Sequence, residues 1–462
     1  MENVKQNLLE QYGRQIKIAE AFAKSRTKID SLDDNIKLAT AVCLDNVNKF
    51  ISMRESMNTM ATERANLGDY KKFCLNLVNL SVPTLIANNL VIVHPMTSFS
   101  GSVAYLEYQS RTNKGDVKRG QVFNSVFNLG ETGEARTNFT SQVIIETITT
   151  AGGKVALSPM HFENGRFTDT TGAGKDVKVV HADGTVEYFD VTPSATAGQP
   201  GTIAGYTAAK DDKVAYFSEE FQMEHVPAQD IPTIGPVMKR IPLVAEPRRI
   251  GVKYDQISAF QAKTDYGFNL DKQIAEQAVG ELNFEIDSEI IGMLYQAAVE
   301  STKPEEFAEL TWSKTQPIGV SKFEHYNGFL EVIEAAKAII YKRTKRFEPT
   351  YMVVDPDLLR VLKFVNGWTA NKGAKKNGPY KAGDIDGLDI YVTPDLIGTK
   401  EFFFGLNGSD MMSSVAVYAP YMPIVPTQLL GTPDGGLQQG FSTWYATAFL
   451  NKNLAVRGKI TD

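Results

Sequence analysis

Cysteine is nearly missing from this chain: 462 residues contain two, Cys43 and Cys74. That excludes a disulfide framework and makes a reducing cytoplasm the expected place of synthesis. Each cysteine sits in an apolar, helix-like context, where a small buried hydrophobe is the ordinary role. Long apolar runs are missing too. No stretch approaches the roughly 18 residues that a membrane-spanning helix needs, and Met1–Gln6 lacks the basic-then-apolar pattern of a secretory signal. Excess positive charge is absent, with 48 Lys and Arg against 54 Asp and Glu for a net charge of −6. Such a surface does not grip nucleic acid in general, because phosphate contacts require a basic face.

The residues of catalysis and metal binding are equally sparse. The five histidines, His94, His161, His181, His225 and His325, are scattered without ligand spacing, so no metal or other cofactor is expected. There is no Gly-x-Ser-x-Gly elbow, and neither cysteine has a nucleophile's surroundings. Thr171-Gly172-Ala173-Gly174-Lys175-Asp176 has the ending of a phosphate-binding loop. However, Asp169 stands where that loop needs its first glycine, and Asp176 stands where a magnesium-binding hydroxyl belongs. A surface loop is expected there. No enzyme is indicated.

What is present is a large, ordinary globular composition, 43% hydrophobic and 22% charged, enough for two or three domains. Residues 1–65 differ from the rest, with one glycine and no proline. Leu8, Tyr12, Ile16, Ala19 and Phe22 form one helical stripe; Leu32, Ile36, Ala39, Cys43, Val47 and Phe50 form another, with Ser31 as the expected N-cap. Two amphipathic helices must bury these stripes on each other, on the body of the protein or on another chain. From about Ser102 to Val244 the signals are strand and turn. Two alternating runs around Asp183-Gly184 predict a hairpin over Asp176–Val191, within a small β-insertion placed at 130–215.

A long helix is predicted from Leu270, Ile274, Ala278, Leu282, Ile286 and Ile290, with Val279, Ile291 and Leu294 widening its apolar face. Glu281, Glu285 and Glu289 share one face of it at i, i+4 spacing, and with Glu276 are read as a solvated or interface-facing edge. Another helix is predicted from Phe323 to Lys345. The basic cluster Lys342–Arg346 closes it, where cations favour a helix C-terminus; contact with a neighbouring subunit's acidic face is the alternative. Tyr351–Val354 reads as a buried strand. Asp355-Pro356 then starts a helix, with Asp355 as N-cap, that ends at Asn366-Gly367. Strands follow at Leu388–Val392, Phe402–Leu406, Val415–Tyr418, Thr443–Phe449 and Leu454–Arg457. The fold class is α+β, without internal repeats.

Four ordered landmarks carry a resemblance. They are Pro83-Thr84-Leu85-Ile86-Ala87 through Val93-His94-Pro95-Met96, the stretch Arg249–Thr264, Glu281-Leu282-Asn283-Phe284-Glu285-Ile286-Asp287-Ser288-Glu289, and Tyr418-Ala419-Pro420-Tyr421-Met422-Pro423. Together they resemble the major capsid proteins of contractile-tailed, T-even-type double-stranded-DNA phages. The resemblance implies the Hong Kong 97-type capsid fold, with a helical N-terminal segment (1–65) and the start of a peripheral domain (66–101). An extended loop carrying the insertion (102–248), a peripheral part with a spine helix (249–319), an axial domain (320–425) and a return to the peripheral domain (426–462) would follow.

It also implies a self-assembling icosahedral shell of hexamers that encloses DNA without reading it, made in the host cytoplasm and ending in the virion. Portal, scaffold, maturation protease and decoration proteins are the implied partners, with no membrane involved. Whether the same chain forms pentamers is left open. In such families the N-terminal segment is often removed after Ile or Leu, any residue, then Glu. Glu20, in Ile18-Ala19-Glu20, matches the pattern but lies far upstream, as does Leu8-Leu9-Glu10. Glu63, in Ala61-Thr62-Glu63, has the right place but departs from the pattern at its first residue. A bacterial nanocompartment shell of the same fold, and a surface- or glycan-binding structural protein acting through the insertion, are the alternatives.

Overall fold

A computed structural model describes residues 2–27, 32–57, 74–79, 81–111, 119–120, 143–148, 165, 167–169, 171–192, 202–217, 233–267, 270–344, 346–371, 378–396, 400–408, 411–427, 430–432 and 436–461. The chain divides into two compact units, one of Met1–Tyr105 with Arg240–Asp462, the other of Leu106–Lys239.

The first unit holds two sheets. In one, strands run in the order Ile92–Val93, Ala416–Pro426, Gly436–Phe449, Glu246–Asp255, with Leu430–Gly431 pairing onto the third. Its first pairing is parallel and joins two of the sequence landmarks, with Ile92 opposite Val417 and Val93 opposite Tyr418. The backbone continues this match beyond the strand, since His94 N–H donates to Tyr418 O (2.9 Å) and Met96 N–H to Pro420 O (2.9 Å). The other sheet has seven strands in the order Thr311–Ser313, Val456–Thr461, Glu401–Gly405, Tyr351–Val354, Leu388–Val392, Tyr380–Ile385, Thr369–Ala370.

Side-chain alternation along the strands sets what each face meets. Ile424 and Phe441 pack with Ala275, Val279 and Leu282 of the long helix Leu270–Ser301. Met422 and Val425 pack instead with Cys43, Leu44, Val47 and Ile51 of the helix Asp34–Met57. The N-terminal helices therefore bury their stripes on the body of the protein. Both cysteines are buried thiols, and desolvation pushes Cys43 up to about 12. Phe22 and Phe50, placed on the stripes by spacing, lie at their edges and stay partly exposed, while Ala23 and Ile51 are the buried residues. The first helix breaks at Tyr12, giving Glu2–Gln11 and Gly13–Thr27. Ser31 lies outside the described residues, and Asp33 accepts from the Asp34 N–H at the start of the third helix.

In the seven-stranded sheet, Phe402, Phe404, Met352, Val354, Ile390 and Val392 share a core with Phe329, Ile333, Ala336 and Ile340, and with Leu358 and Leu362. Phe403 points the other way, its ring 6.2 Å from that of Tyr295 on the long helix. The helix predicted as continuous from Phe323 to Lys345 is two, Lys322–Asn327 and Phe329–Thr344, divided at Gly328. The first carries a reciprocal capping box between Ser321 and Glu324, a strong local start signal that the periodicity passes over.

The second unit contains a four-stranded sheet in the order Val143–Thr147, Lys213–Phe217, Val177–Val180, Val186–Phe189. Val177, Val179, Val214, Tyr216, Ile203 and Tyr206 form its core. The predicted hairpin is present, with Val180 opposite Val186. Gly184 takes the positive φ of 87° that its turn requires. Strands Ser100–Ser110 and Ile234–Val244 pair as a two-stranded ribbon, bracketed by Ala245 N–H to Phe99 O and Arg111 N–H to Thr233 O.

Candidate functional site

The loop with a phosphate-binding ending is a small hairpin. Phe167–Thr168 pairs with Gly174–Lys175, and Asp169 Oδ1 accepts from Thr171 N–H (2.8 Å), Thr171 Oγ1 (2.6 Å) and Ala173 N–H (3.0 Å). These donors, the Thr171 hydroxyl first, hold the Asp169 carboxyl below its usual range. Lys175 reaches Asp190 at 2.7 Å. The turn thus satisfies its own polar groups, as Asx turns do.

Three histidines have separate settings, and His161 and His225 lie outside the described residues. His325 stacks on Trp312 at 4.8 Å. Burial, and then Lys5, lower the pKa of His94. His181 Nδ1 lies 2.8 Å from Asp212 Oδ2, which also accepts from Tyr206 Oη at 2.5 Å, while Asp212 Oδ1 accepts from Ala182 N–H at 3.1 Å. Burial works to lower the His181 pKa, but the Asp212 hydrogen bond and charge, with Glu187, outweigh it and raise it. The other ring nitrogen faces Glu187 at 3.5 Å, not a hydroxyl or thiol. The network therefore fastens the hairpin to its neighbouring strand; it activates no nucleophile. Among the described residues no group of three or more His, Cys, Asp or Glu could hold a metal.

The carboxylate row of the long helix divides between uses. Glu289, read from sequence as part of a solvated or interface-facing edge, is exposed there as expected, and a strand holds it as well. Arg248 closes on it with a two-nitrogen fork (Nη2 to Oε1 2.9 Å, Nε to Oε2 3.2 Å), and Tyr445 Oη donates to it at 2.6 Å. Strand residue Arg248 also lies over the Tyr445 ring, 5.4 Å from its centre. A bidentate guanidinium adds geometric definition to a carboxylate that still faces solvent. Glu285 is exposed, and Glu276 and Glu281 line a polar groove with Gln273, Gln277 and Gly378. Six residues beyond Glu289, Tyr295 Oη donates to Glu401 (2.5 Å), which pairs with Arg457 (3.0 Å). The long helix is therefore bolted to both sheets.

Arg343, from the basic cluster, also turns inward. It pairs with Glu306 and donates to Ser301 O (2.9 Å), Asn453 O (3.3 Å) and Ala455 O (3.3 Å). Lys345 lies outside the described residues. Asp355 has the extended backbone of an N-cap, but its side chain makes no capping bond, and its helix ends at Leu362 rather than at Asn366-Gly367. Of the two candidate cleavage residues, Glu20 sits within the helix Gly13–Thr27, 3.6 Å from Lys37. Glu63 lies outside the described residues.

Two polar residues that sequence reasoning passed over hold the landmarks in place. Asn46 is buried, and its Nδ2 donates to both Met96 O (2.8 Å) and Tyr421 O (2.7 Å), tying both landmark turns to the N-terminal helix. Asp287 accepts the N–H groups of Ala87 (2.9 Å) and Ile86 (3.3 Å), tying Pro83–Asn89 to the long helix. The one signal in the sequence was a polar residue on an apolar stripe: Asn46 beside Val47, and Asn283 and Asp287 between Val279 and Ile291.

The arrangement is one of clasps between distant segments, the chemistry of a mechanical part. The profile of the family described as major capsid protein Gp23 matches residues 67–461. No curated protein matches the chain significantly. Among solved structures, the chain is similar to one of Microbacterium phage Oxtober96, with 12% identity, a TM-score of 0.37, and coverage of 82% of this chain and 91% of that one. A chain of Mycobacterium phage Bobi gives 10% identity, a TM-score of 0.39, and coverage of 81% and 90%. One from the mature capsid of bacteriophage PhiM1 gives 11%, 0.32, and 52% and 78%. The family match, over most of the length, decides the matter: this chain belongs to the Gp23 major capsid proteins and is a structural, non-enzymatic subunit of a phage head shell.

Proposed function

We propose that the chain builds its shell as a Hong Kong 97-type subunit, assembling first into hexamers in the host cytoplasm. In this reading 66–101, 249–319 and 426–462 make the peripheral domain, with Leu270–Ser301 as its spine helix. Residues 320–425 make the axial domain, and 102–248 the extended loop with an insertion at 130–215. The observation that carries it is the ribbon of Ser100–Ser110 and Ile234–Val244. Leu106, Tyr108, Ile234, Met238 and Val244 on these strands are all exposed. Val103 and Leu243 anchor one end of the ribbon on Ile92, Val417 and Ala419, and the exposed apolar series along the rest fits pairing with a neighbouring copy through main-chain bonds and side-chain burial.

Electron microscopy of the purified protein tests the assignment. Shells, tubes or hexamers are expected, and a stable monomer at every concentration would overturn it. Leu106→Asp and Met238→Asp should each raise the concentration needed for assembly at least about tenfold, since about 1.4 kcal/mol is a factor of ten. The circular dichroism of the unassembled chain should stay unchanged.

Removal of the N-terminal segment by a maturation protease belongs to the same reading, with Glu63 as the first candidate and Glu20 as the second. Portal, scaffold and decoration proteins are the further partners. Intact-mass measurement on mature particles should show a chain beginning at residue 64. A chain beginning at residue 21 would move the site to Glu20, and a full-length chain would remove cleavage from the scheme.

A further inference from the structure

Asp287 lies midway along the long helix and is buried. Its two oxygens receive the backbone N–H groups of Ala87 and Ile86, at the point where the chain leaves the N-terminal segment and enters the first sheet. A buried carboxylate ordinarily has a cationic partner, because desolvating a lone charge is costly. Among the described residues no Lys, Arg or His pairs with Asp287. The guanidinium of Arg248 closes on Glu289, two residues further along the helix. Tyr418, on the strand Ala416–Pro426, faces the same region and senses Asp287, Glu289, Tyr445 and Cys43; none of these groups brings positive charge. The segment Ile86–Asn88 carries no titratable group.

The polar surroundings point the same way. Asn88 Oδ1 and Asn283 Oδ1 are buried acceptors without a partner, and Ser288 Oγ is likewise unpaired. Asn88 adjoins the two capped residues, and Asn283 precedes Asp287 by one helical turn. Orphaned buried polar atoms are uncommon and call for an explanation. A neutral carboxylic acid supplies one, because it adds an O–H donor to a neighbourhood with spare acceptors while its carbonyl oxygen still receives a backbone N–H.

We propose that Asp287 is a proton-operated latch: protonated, it holds the Pro83–Asn89 turn against the long helix, and ionised, it loosens that joint. Desolvation raises its pKa to about 7 from the usual 3.8, with the two N–H donors opposing. The folded chain then keeps a proton that the unfolded chain releases near pH 4. The stabilisation is fully present below about pH 4 and is lost as pH rises through about 7. This is the reverse of an ordinary ion-paired carboxylate, so the joint tightens on acidification.

The test compares the full-length wild type with Asp287→Asn from about pH 5 to about pH 8. In the wild type, exchange of the Ile86 and Ala87 amides, corrected for intrinsic pH dependence, should rise with pH relative to the variant. The total effect between the limiting protonation states is roughly a thousandfold in the opening equilibrium, a factor of ten per pH unit of separation. Infrared difference spectra should show a neutral carboxylic acid carbonyl at about pH 5 that is absent from the variant. Should the variant not fold, that band in the wild type, fading as pH passes about 7, is decisive alone. An ionised carboxylate at about pH 5, or equal pH dependence in both proteins, would overturn the proposal. So would stabilisation of the wild type but not the variant by sodium or calcium at about pH 8, because a cation would then be neutralising the site.

Discussion

Phe402→Ala should destabilise the unassembled subunit by about 3–5 kcal/mol, the range for deleting a fully buried aromatic ring, read from the midpoint of urea unfolding. The Phe402 side chain is inaccessible to solvent. Its ring meets Phe329 and Phe404 edge-on at 5.5 and 5.8 Å, so truncation opens a cavity between a helix and the seven-stranded sheet. One neighbour makes the prediction sharper. A Cβ on Gly458 would stand 2.5 Å from the Phe402 ring and 2.5 Å from Leu310 O, so Gly458→Ala alone should also destabilise, by about 1–3 kcal/mol. Removing the ring relieves half of that clash. The double variant should therefore be more stable than the two single effects predict together, by about 0.5–3 kcal/mol. Strict additivity would show that the strand reaches its place without the close approach.

Arg343→Met is the second large effect, at about 3–5 kcal/mol for breaking a mostly buried ion pair from one side. Glu306 would lose its forked partner, and the carbonyls of Ser301, Asn453 and Ala455 would each lose a bond, that of Ala455 keeping only the Ser301 hydroxyl. Arg343→Lys should restore only part of the loss, because an ammonium cannot serve a carboxylate and three carbonyls in a planar fork. Arg343→Met combined with Glu306→Met should recover stability relative to Arg343→Met alone, since no unpaired charge then remains. Thermal unfolding of these variants beside the wild type separates the cost of a stranded charge from that of the unmade hydrogen bonds. If the double variant is as unstable as the sum of its parts, the fork contributes through the carbonyls and not through Glu306.

Much of the architecture is legible in the sequence because it is written in local periods. The stripes of the N-terminal helices, the apolar face of the long helix and the hairpin around Asp183-Gly184 each follow from residues within a few turns or one strand pair of each other. Boundaries were less legible where a local signal competes with the period. The Ser321 and Glu324 capping box starts a short helix that Gly328 ends, although the apolar spacing runs through both.

The clasps were not legible, for a different reason. Glu289, Arg343, Asn46 and Asp287 look like ordinary polar helix residues until their partners arrive from other elements 37 to 375 positions away in the chain. Nothing in a 3.6-residue repeat distinguishes a glutamate facing water from one facing an arginine of a distant strand. The candidate cleavage residues show the converse, since a three-residue pattern marks Glu20 while that residue lies in a helix packed into the body.

The parallel match of Ile92 with Val417 sets a schedule for biosynthesis. About 325 residues separate the two positions, and at roughly 5–20 residues per second a ribosome needs on the order of 16 to 65 s to deliver the second after the first. Throughout that interval the helix Asp34–Met57 has no sheet face to cover, because Met422, Val425 and the Tyr421 carbonyl that Asn46 grips do not yet exist. Nascent chains crowded on one message would each display that apolar helix. The first sheet of the subunit is thus completed only after the strands Ala416–Pro426 and Gly436–Phe449 have been made.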